Sequence, residues 1–542
     1  MTSGKDQLFL ITCEPGGSSI GSAQEMGFKA HNLARMARLG IAVPAAFVLG
    51  TRCCRDYLER GALADELRAQ IRSGTRRLEE SSGLGLGNPR RPLLLSVRSG
   101  APVSMPGMLD TVLDVGLCDS TLPGLLRITG SPRLAWDSYR RLVQSFAEVV
   151  RGVAAEPFAT AVRAQLRDSG TERLDRLDFR GLRALTLRFL DLYAELVGAP
   201  FPQSPEEQLH AAVAAVFNSW NSARAAAYRR VNRIPDDLGT AVTVQRMVFG
   251  NSGGNAGAGV AFTRDPATGE NRLYLDFAFN AQGEDVVSGR TTLEHGPDLA
   301  LRLPNVHSEL LALREQLERE FRDAQECEFT VQDGRLYVLQ SRAAKRTGLA
   351  ALRIAVEQLE SGLLSPAEVS RNLAGVDLDA IELVRVEGSG GERPLAHGTA
   401  ASIGVASGRI AMLPERAVDL ARDGEPVVLV RDDIVTSDIV AIHAAAGILT
   451  ARGGRTSHAA VIARQLGKAC VVGCEELSVA ADGRSCTIGG RTFREGDTLC
   501  LDANTGAVFE GEPRITRERP TALLERFRRL VGAARDASAA GA

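Results

Sequence analysis

Apolar residues recur at helical spacing over residues 30–39, with Leu33, Met36 and Ala37 on one face, and the pattern stops at Gly40. This predicts an amphipathic helix. A strand-like run follows at 41–49, with Pro44 placing part of it at a sheet edge. A helical, Arg- and Glu-rich stretch then runs to about residue 80, followed by the loop 81–87 and a short buried strand at 93–97. Residues from about 118 to 232 are mostly helical in pattern, with Trp136, Tyr139, Leu142 and Phe146 spaced as one buried stripe. From Thr240 the period changes to two, which predicts strands at 241–249, 259–263, 273–279, 328–331 and 336–339. Asp333-Gly334 marks a hairpin turn between the last two. Residues 345–385 read as helical and polar, a connector. A further region, from Pro394 to about Glu512, alternates short strands such as 427–430 and 447–449 with short helices. The last stretch holds one basic helix candidate at 523–531 and an Ala/Gly-rich end expected to fray.

These patterns divide the 542 residues into a first lobe at 1–117, a helical subdomain at 118–235, a strand-rich lobe at 236–344, a helical linker or hinge at 345–390, a mixed domain at 391–512 and a tail at 513–542. The expectation is a multidomain chain of α/β and α+β class. A hydrophobic content of 44% and a charged content of 24% fit a soluble globular enzyme. The formal charge of −2 gives no basic excess that would argue for nucleic acid. The apolar run 8–12 is too brief for a signal-peptide core, and no stretch approaches the roughly 20 apolar residues of a membrane span, so a cytoplasmic protein is expected. The nine cysteines, with Cys53–Cys54 adjacent and Cys470 and Cys474 four apart, lack zinc-site spacing and read as reduced thiols. The composition leaves a homo-oligomer open.

The most informative segment runs from Thr450 to Arg464 and contains Gly453-Gly454-Arg455-Thr456-Ser457-His458-Ala459-Ala460. Paired glycines allow a tight turn, and Thr456 or Ser457 then caps a helix that ends at Gly467. His458 falls in the first helical turn. The positive end of a helix disfavours imidazolium and favours a phosphate attached to the ring. A nucleophilic imidazole needs both a free nitrogen before attack and anion stabilisation after it. Thr456 would hydrogen-bond the ring or the phosphoryl oxygens.

Two other clusters suit phosphates. A strand delivers Arg98, whose fork grips phosphate oxygens bidentately, and the small residues after it, with Gly107, bring backbone N–H groups close to anions. On a strand, Glu326 and Glu328 point to one face, and two oxygen ligands there suit Mg²⁺. After the turn, Gln340 and Arg342 likewise share a face and approach the same phosphates.

The His458 segment resembles the phosphohistidine loop of enzymes that use or make phosphoenolpyruvate. The stretch from Ser96-Val97-Arg98-Ser99-Gly100 to Met108-Leu109-Asp110-Thr111 resembles the pyruvate, phosphate dikinase family. So do Trp136-Asp137-Ser138-Tyr139-Arg140-Arg141, Met247-Val248-Phe249-Gly250-Asn251 and Asn280-Ala281-Gln282-Gly283-Glu284-Asp285. The matches run in order from about Gly27 to Glu512. The resemblance implies an ATP-grasp nucleotide-binding domain followed by a swivelling phosphohistidine domain. It implies that Lys29 reaches phosphates, that Met247 and Val248 belong to the adenine-side hinge and that Glu284 contacts the nucleotide. It also implies that Glu326, Glu328, Gln340 and Arg342 are the metal and phosphate residues, with Glu326 where the family has aspartate.

The implied activity is a dikinase half-reaction. ATP binds between the lobes with Mg²⁺, His458 attacks the β-phosphorus, AMP leaves, and inorganic phosphate takes the γ-phosphoryl as pyrophosphate. The family's C-terminal pyruvate-binding barrel, roughly 250 residues, does not fit after Glu512 and is expected to be absent. The final acceptor is open: a separate barrel protein, a small molecule as in antibiotic-inactivating phosphotransferases, or water or phosphate. A non-catalytic regulatory remnant is the remaining alternative.

Overall fold

The computed structural model describes residues 8–13, 18–103, 105, 107–287, 294–387, 393–434, 438–455, 457–480 and 482–540, with the side chains of 284, 287, 294–297, 458 and 533–540 outside that description. The chain folds as two compact units, Met1–Gly257 with Thr330–Ser341, and Ala258–Phe329 with Arg342–Ala542.

In the first unit, strands β1 (Leu8–Ile11), β2 (Ala46–Leu49), β3 (Leu95–Gly100), β4 (Thr111–Val115) and β5 (Ala241–Arg246) form a sheet in the order β1-β2-β5-β3-β4. All its neighbours are antiparallel. The run predicted at 41–49 joins the ladder only from Ala46, and β2 lies inside the sheet rather than at an edge. Pro44 has no N–H to give a ladder; it sits just before the strand, where its carbonyl accepts from Gln245 Nε2 at 3.1 Å. The strand predicted at 93–97 continues to Gly100, because Ser99 and Gly100 pair with Val242 and Ala241. Arg98 is therefore held by ladders on both sides.

The expected helix spans Phe28–Arg38 and buries Leu33, Met36 and Ala37. Among the subdomain helices, Pro132–Ser145 packs on Phe179–Val197. Its stripe is buried at Tyr139 and Leu142, and Phe146 continues it, but Trp136 stands half-exposed at the rim under the Arg183 guanidinium at 5.7 Å.

A second sheet contains β6 (Gly257–Phe262), β7 (Tyr274–Phe279), β8 (Glu294–His295), β9 (Gln325–Gln332) and β10 (Arg335–Ala343) in the order β10-β9-β6-β7-β8. The second unit holds its residues from Ala258 to Phe329 and from Arg342, while Thr330–Ser341 belongs to the first. The predicted hairpin turn is present, with φ 52° at Asp333 and 76° at Gly334. Positive φ at both central residues gives the twist that antiparallel strands need. Both strands run longer than the apolar pattern suggested, since their polar ends also take ladder bonds.

After β11 (Leu383–Val386), an eight-stranded sheet is built from β12 (Ala396–His397), β13 (Thr399–Ala400), β14 (Val405–Ala411), β15 (Val427–Arg431), β16 (Gly447–Thr450) and β17 (Ala469–Val472), with β21 and β22 below. The meander β18 (Leu477–Val479), β19 (Ser485–Ile488) and β20 (Arg491–Arg494) leads into β21 (Thr498–Asp502) and β22 (Ala507–Glu510). β14 to β17 are parallel neighbours, and Val427–Val430 and Gly447–Thr450 are buried throughout, as a sheet covered on both faces requires.

Two expectations in this unit hold for helix but not for its extent or exposure. The stretch read as a polar connector contains the helix Gly348–Glu360, which buries Leu349, Leu352, Ile354 and Val356. The tail holds the helix expected at 523–531, but that helix runs over Thr521–Ala540, through the Ala/Gly-rich stretch expected to fray, and is preceded by β23 (Ile515–Glu518), which pairs with β11. That helix seats Leu524 against Leu349, Leu352 and Val356. The apolar face of each helix covers the other's, which neither pattern reveals alone. All nine cysteines are free, as expected, and burial pushes Cys53 and Cys327 up to about 12. No described helix is long and apolar enough to cross a membrane.

Candidate functional site

In the first unit the structure brings the candidate phosphate residues onto touching elements. Gly27 has φ 78°, and a side chain there would run into the Gly100 carbonyl. The start of the helix Phe28–Arg38 therefore seats directly on the end of β3, where Phe28 N–H donates to the Ala101 carbonyl at 3.0 Å. Lys29 stands exposed in the first turn of that helix, and Arg98 is half-buried in β3 between Thr111 and Thr243. One turn on, Asn32 Nδ2 donates to the Ser341 carbonyl at 3.0 Å, which fastens the same helix beside half-buried Gln340 on β10.

Met247 and Val248 follow β5. Met247 N–H donates to the Leu94 carbonyl at 2.9 Å; Val248 is buried, and Met247 half-buried. Gly107 has φ 70° in the exposed loop between β3 and β4, with nothing near its α-carbon that a side chain would meet. Its glycine is required by the backbone angle, not by a close neighbour. Sequence reasoning missed Arg224, which pairs with Asp110 and donates Nε to the Met108 carbonyl at 3.1 Å. It buttresses this loop from a helix far along the chain, and no local pattern signals that.

In the second unit, Glu326 and Glu328 stand on one face of β9, as their spacing requires. Glu326 is 4% exposed. Its Oε1 accepts from Arg342 Nη2 at 2.5 Å, while Oε2 is buried without a hydrogen-bond partner. Burial works against the Arg342 charge, but Glu326, and to a lesser extent Glu328, hold its pKa above the usual value. Arg342 was expected beside Gln340 as a phosphate ligand; here its guanidinium is engaged by Glu326. No group of three or more His, Cys, Asp or Glu with metal-site geometry occurs among the described residues. Any hard cation at this edge would rest on the two carboxylates and on ligands from outside the protein.

The His458 segment leaves the carboxyl end of β16, at the edge where parallel sheets bind ligands. The helix His458–Leu466 begins at that histidine. It is capped by Ser457, whose side chain accepts from Ala460 N–H, and it ends at Gly467 in the left-handed conformation. These are the cap, the stop and the position that the sequence predicts. Thr450 Oγ1 donates to the Arg452 carbonyl at 2.6 Å and fixes the entry to the loop. Arg464, 1% exposed, reaches back from the helix to donate Nη1 to the Arg455 carbonyl at 2.7 Å and the Ala401 carbonyl at 2.8 Å. Burial lowers its pKa, opposed by Tyr274, Glu326, Cys470 and Asp276. Thr456 and the side chains of Glu284 and His458 lie outside the described residues.

Comparison with known proteins covers both regions. Residues 75–296 match the family model described as pyruvate phosphate dikinase, AMP/ATP-binding domain, and residues 423–506 match that of the PEP-utilising enzyme, mobile domain. The first range includes Arg98, Gly107, Met247, Val248 and Glu284, and the second includes Thr456 and His458. Pyruvate, phosphate dikinase of Clostridium symbiosum is 41% identical over 506 residues, 93% of this chain and 58% of that protein. The Rhizobium meliloti protein of the same name is 41% identical over 512 residues, 92% of this chain and 57% of its own. Pyruvate, phosphate dikinase 2 of Zea mays is 43% identical over 494 residues, 91% and 56% respectively. The chain spans a little over half the length of the curated relatives it matches.

Proposed function

Over its matched stretches the chain belongs to the pyruvate phosphate dikinase and PEP-utilising enzyme families, and on that premise we propose that it charges His458 from ATP in dikinase fashion. The observation that carries this reading is the placement of His458. It opens a capped nine-residue helix at the carboxyl edge of a parallel sheet, within the stretch matched to the mobile domain. A helix start keeps imidazole neutral for attack and then stabilises the anion it acquires.

An imidazole nitrogen of His458 bonds to the β-phosphorus as the α,β-bridging oxygen leaves on AMP. Inorganic phosphate then bonds to the γ-phosphorus, pyrophosphate departs, and one phosphoryl group stays on the ring. Phosphoryl transfer relies mainly on positioning and charge neutralisation. Lys29, Arg98, Gln340 and Arg342 are the groups assigned to the phosphates, and Met247 and Val248, with Glu284, to the nucleoside side. Glu326 and Glu328 would hold Mg²⁺, for which the unpartnered oxygen of Glu326 and the neighbouring carboxylate offer two hard ligands. When bound, that ion would neutralise phosphate charge. In this reading residues 75–296 belong to an ATP-grasp fold and the domain around β14–β17 swivels to deliver its histidine. Its discharge requires an acceptor, and the relatives' name makes pyruvate the first to try.

The test is incubation with Mg²⁺ and ATP labelled at the β position. Acid-labile, base-stable label on the protein is expected, with AMP released and pyrophosphate formed only when phosphate is present. Transfer of γ-label with ADP as product would overturn the dikinase reading.

Arg98→Ala is expected to slow this charging about 100-fold in single turnover, the usual scale for one preorganised electrostatic contact. Arg98→Lys should recover only part of the rate, because a point charge does not replace a fork. An unchanged rate in the alanine variant would remove Arg98 from the phosphate site.

A further inference from the structure

Two arginines of the His458 segment stand over two aromatic rings of the β6–β7 sheet. Arg455, three residues before His458, holds its guanidinium carbon 4.8 Å from the centroid of the Tyr274 ring. Arg464, within the helix, holds its own 5.5 Å from that of Phe262. The two rings meet edge to face at 5.9 Å, on neighbouring strands, and are 6% and 0% exposed. Both distances fall inside the roughly 6 Å reach of a cation–π contact. Hydrogen bonds account for only part of where these groups stand. Nε of Arg455, and Nε and Nη2 of Arg464, are buried without a hydrogen-bond partner. Arg464 Nη1 meanwhile holds the backbone carbonyl of Arg455 itself. One arginine thus fixes the path of the loop, and the other attaches the loop to the facing sheet. Asp276, fully buried two positions along β7, lies on the face that Tyr274 shares.

We propose that Arg455 and Tyr274 form a docking latch that holds the His458 loop against the β6–β7 face during charging, with Tyr274 as a positioning residue. The inference rests on the reading that His458 is charged from ATP. It goes beyond that reading by naming the contact that decides how often the histidine is presented. A cation–π contact without water corresponds to about tenfold in a docking equilibrium. That is enough to bias a mobile domain and small enough to release it.

The test compares Tyr274→Phe, Tyr274→Ser, Arg455→Lys and Arg455→Met in the full chain. Single-turnover labelling of His458 at saturating ATP should fall about tenfold in Tyr274→Ser and Arg455→Met, with the ATP dependence unchanged. The phenylalanine and lysine variants keep ring and charge, and should stay near the parent rate. The double Tyr274→Ser/Arg455→Met variant should be no slower than either single, because the two changes remove one interaction. Multiplying losses, or a loss confined to ATP affinity, would overturn the latch. Hydrogen exchange of the His458–Leu466 amides gives a second reading that needs no chemistry. Exchange should quicken in both disruptive variants and not in the conservative ones, and unchanged exchange would overturn the proposal even if labelling is lost. If the parent protein takes no label, the charging reading fails while the exchange experiment still decides the docking contact.

Discussion

His458→Ala is expected to abolish protein-bound label from β-labelled ATP, a loss of at least about 10³-fold, as befits removal of a nucleophile. ATP binding and the thermal transition should not change. The structure explains why the loss would be chemical. The cap of the helix is Ser457, its far end is Gly467, and the loop before it is held by Thr450 and Arg464. None of these contacts uses the imidazole, and alanine is the most favourable residue for a helix interior. The variant therefore keeps the capped helix start and lacks only the nitrogen that would accept phosphorus. Ser457→Ala is the contrasting change. It leaves the nucleophile and removes the cap, which costs typically about 1 kcal/mol, so partial labelling is expected there. Label surviving in His458→Ala would place the phosphoryl group on another residue and end the proposal.

The His458 helix was legible because every signal for it is local: glycines for the turn, a hydroxyl for the cap, and a glycine to stop. The Asp333-Gly334 hairpin was legible for the same reason, since two positive φ values are a property of two adjacent residues. What escaped the sequence is long-range. The stretch 345–385 was read as polar as a whole, yet within it the helix Gly348–Glu360 buries Leu349, Leu352 and Val356 against Leu524 of a C-terminal helix. Arg342 was read as a ligand for phosphate from its strand parity. Parity alone does not show that Glu326 also stands close enough to pair with one nitrogen of that guanidinium. Arg455 and Arg464 drew no attention, because a charge in a loop or a helix is ordinarily solvated. Only the folded chain places Tyr274 and Phe262 beneath them. Local pattern thus predicted the helix that His458 opens, and missed the long-range contacts of Arg455 and Arg464.

The same distinction separates chemistry from support in Trp136-Asp137-Ser138-Tyr139-Arg140-Arg141, a family-like motif whose charges turn out to face one another. Asp137 is 7% exposed. Its Oδ1 accepts from Arg140 Nε at 3.0 Å and Nη2 at 2.8 Å, and its Oδ2 accepts from Arg141 Nε at 2.8 Å. Arg140 is itself 5% exposed, its remaining nitrogen bonded to Gln144 at 3.2 Å. Burial alone would raise the Asp137 pKa, but Arg141 and Arg140 more than offset it and hold the carboxyl well below the usual range. Asp137→Asn keeps the shape and strands the buried guanidinium, so it is expected to destabilise the first unit by roughly 3–5 kcal/mol. Arg141→Met, which removes a guanidinium more exposed than that of Arg140, should cost less. The pH dependence has a definite sign. A carboxyl whose folded pKa is depressed contributes its full stability above its unfolded value, about 3.9, and loses it as the pH falls from there towards the folded value. The gap in unfolding free energy between parent and Asp137→Asn should therefore be constant near neutrality and close below about pH 4. Denaturant melts across that range measure it, and a gap that stays open in acid would show that Asp137 acts through packing rather than charge. At temperatures where both proteins are folded, His458 labelling should be equal, since Asp137 supports the subdomain and touches no phosphate.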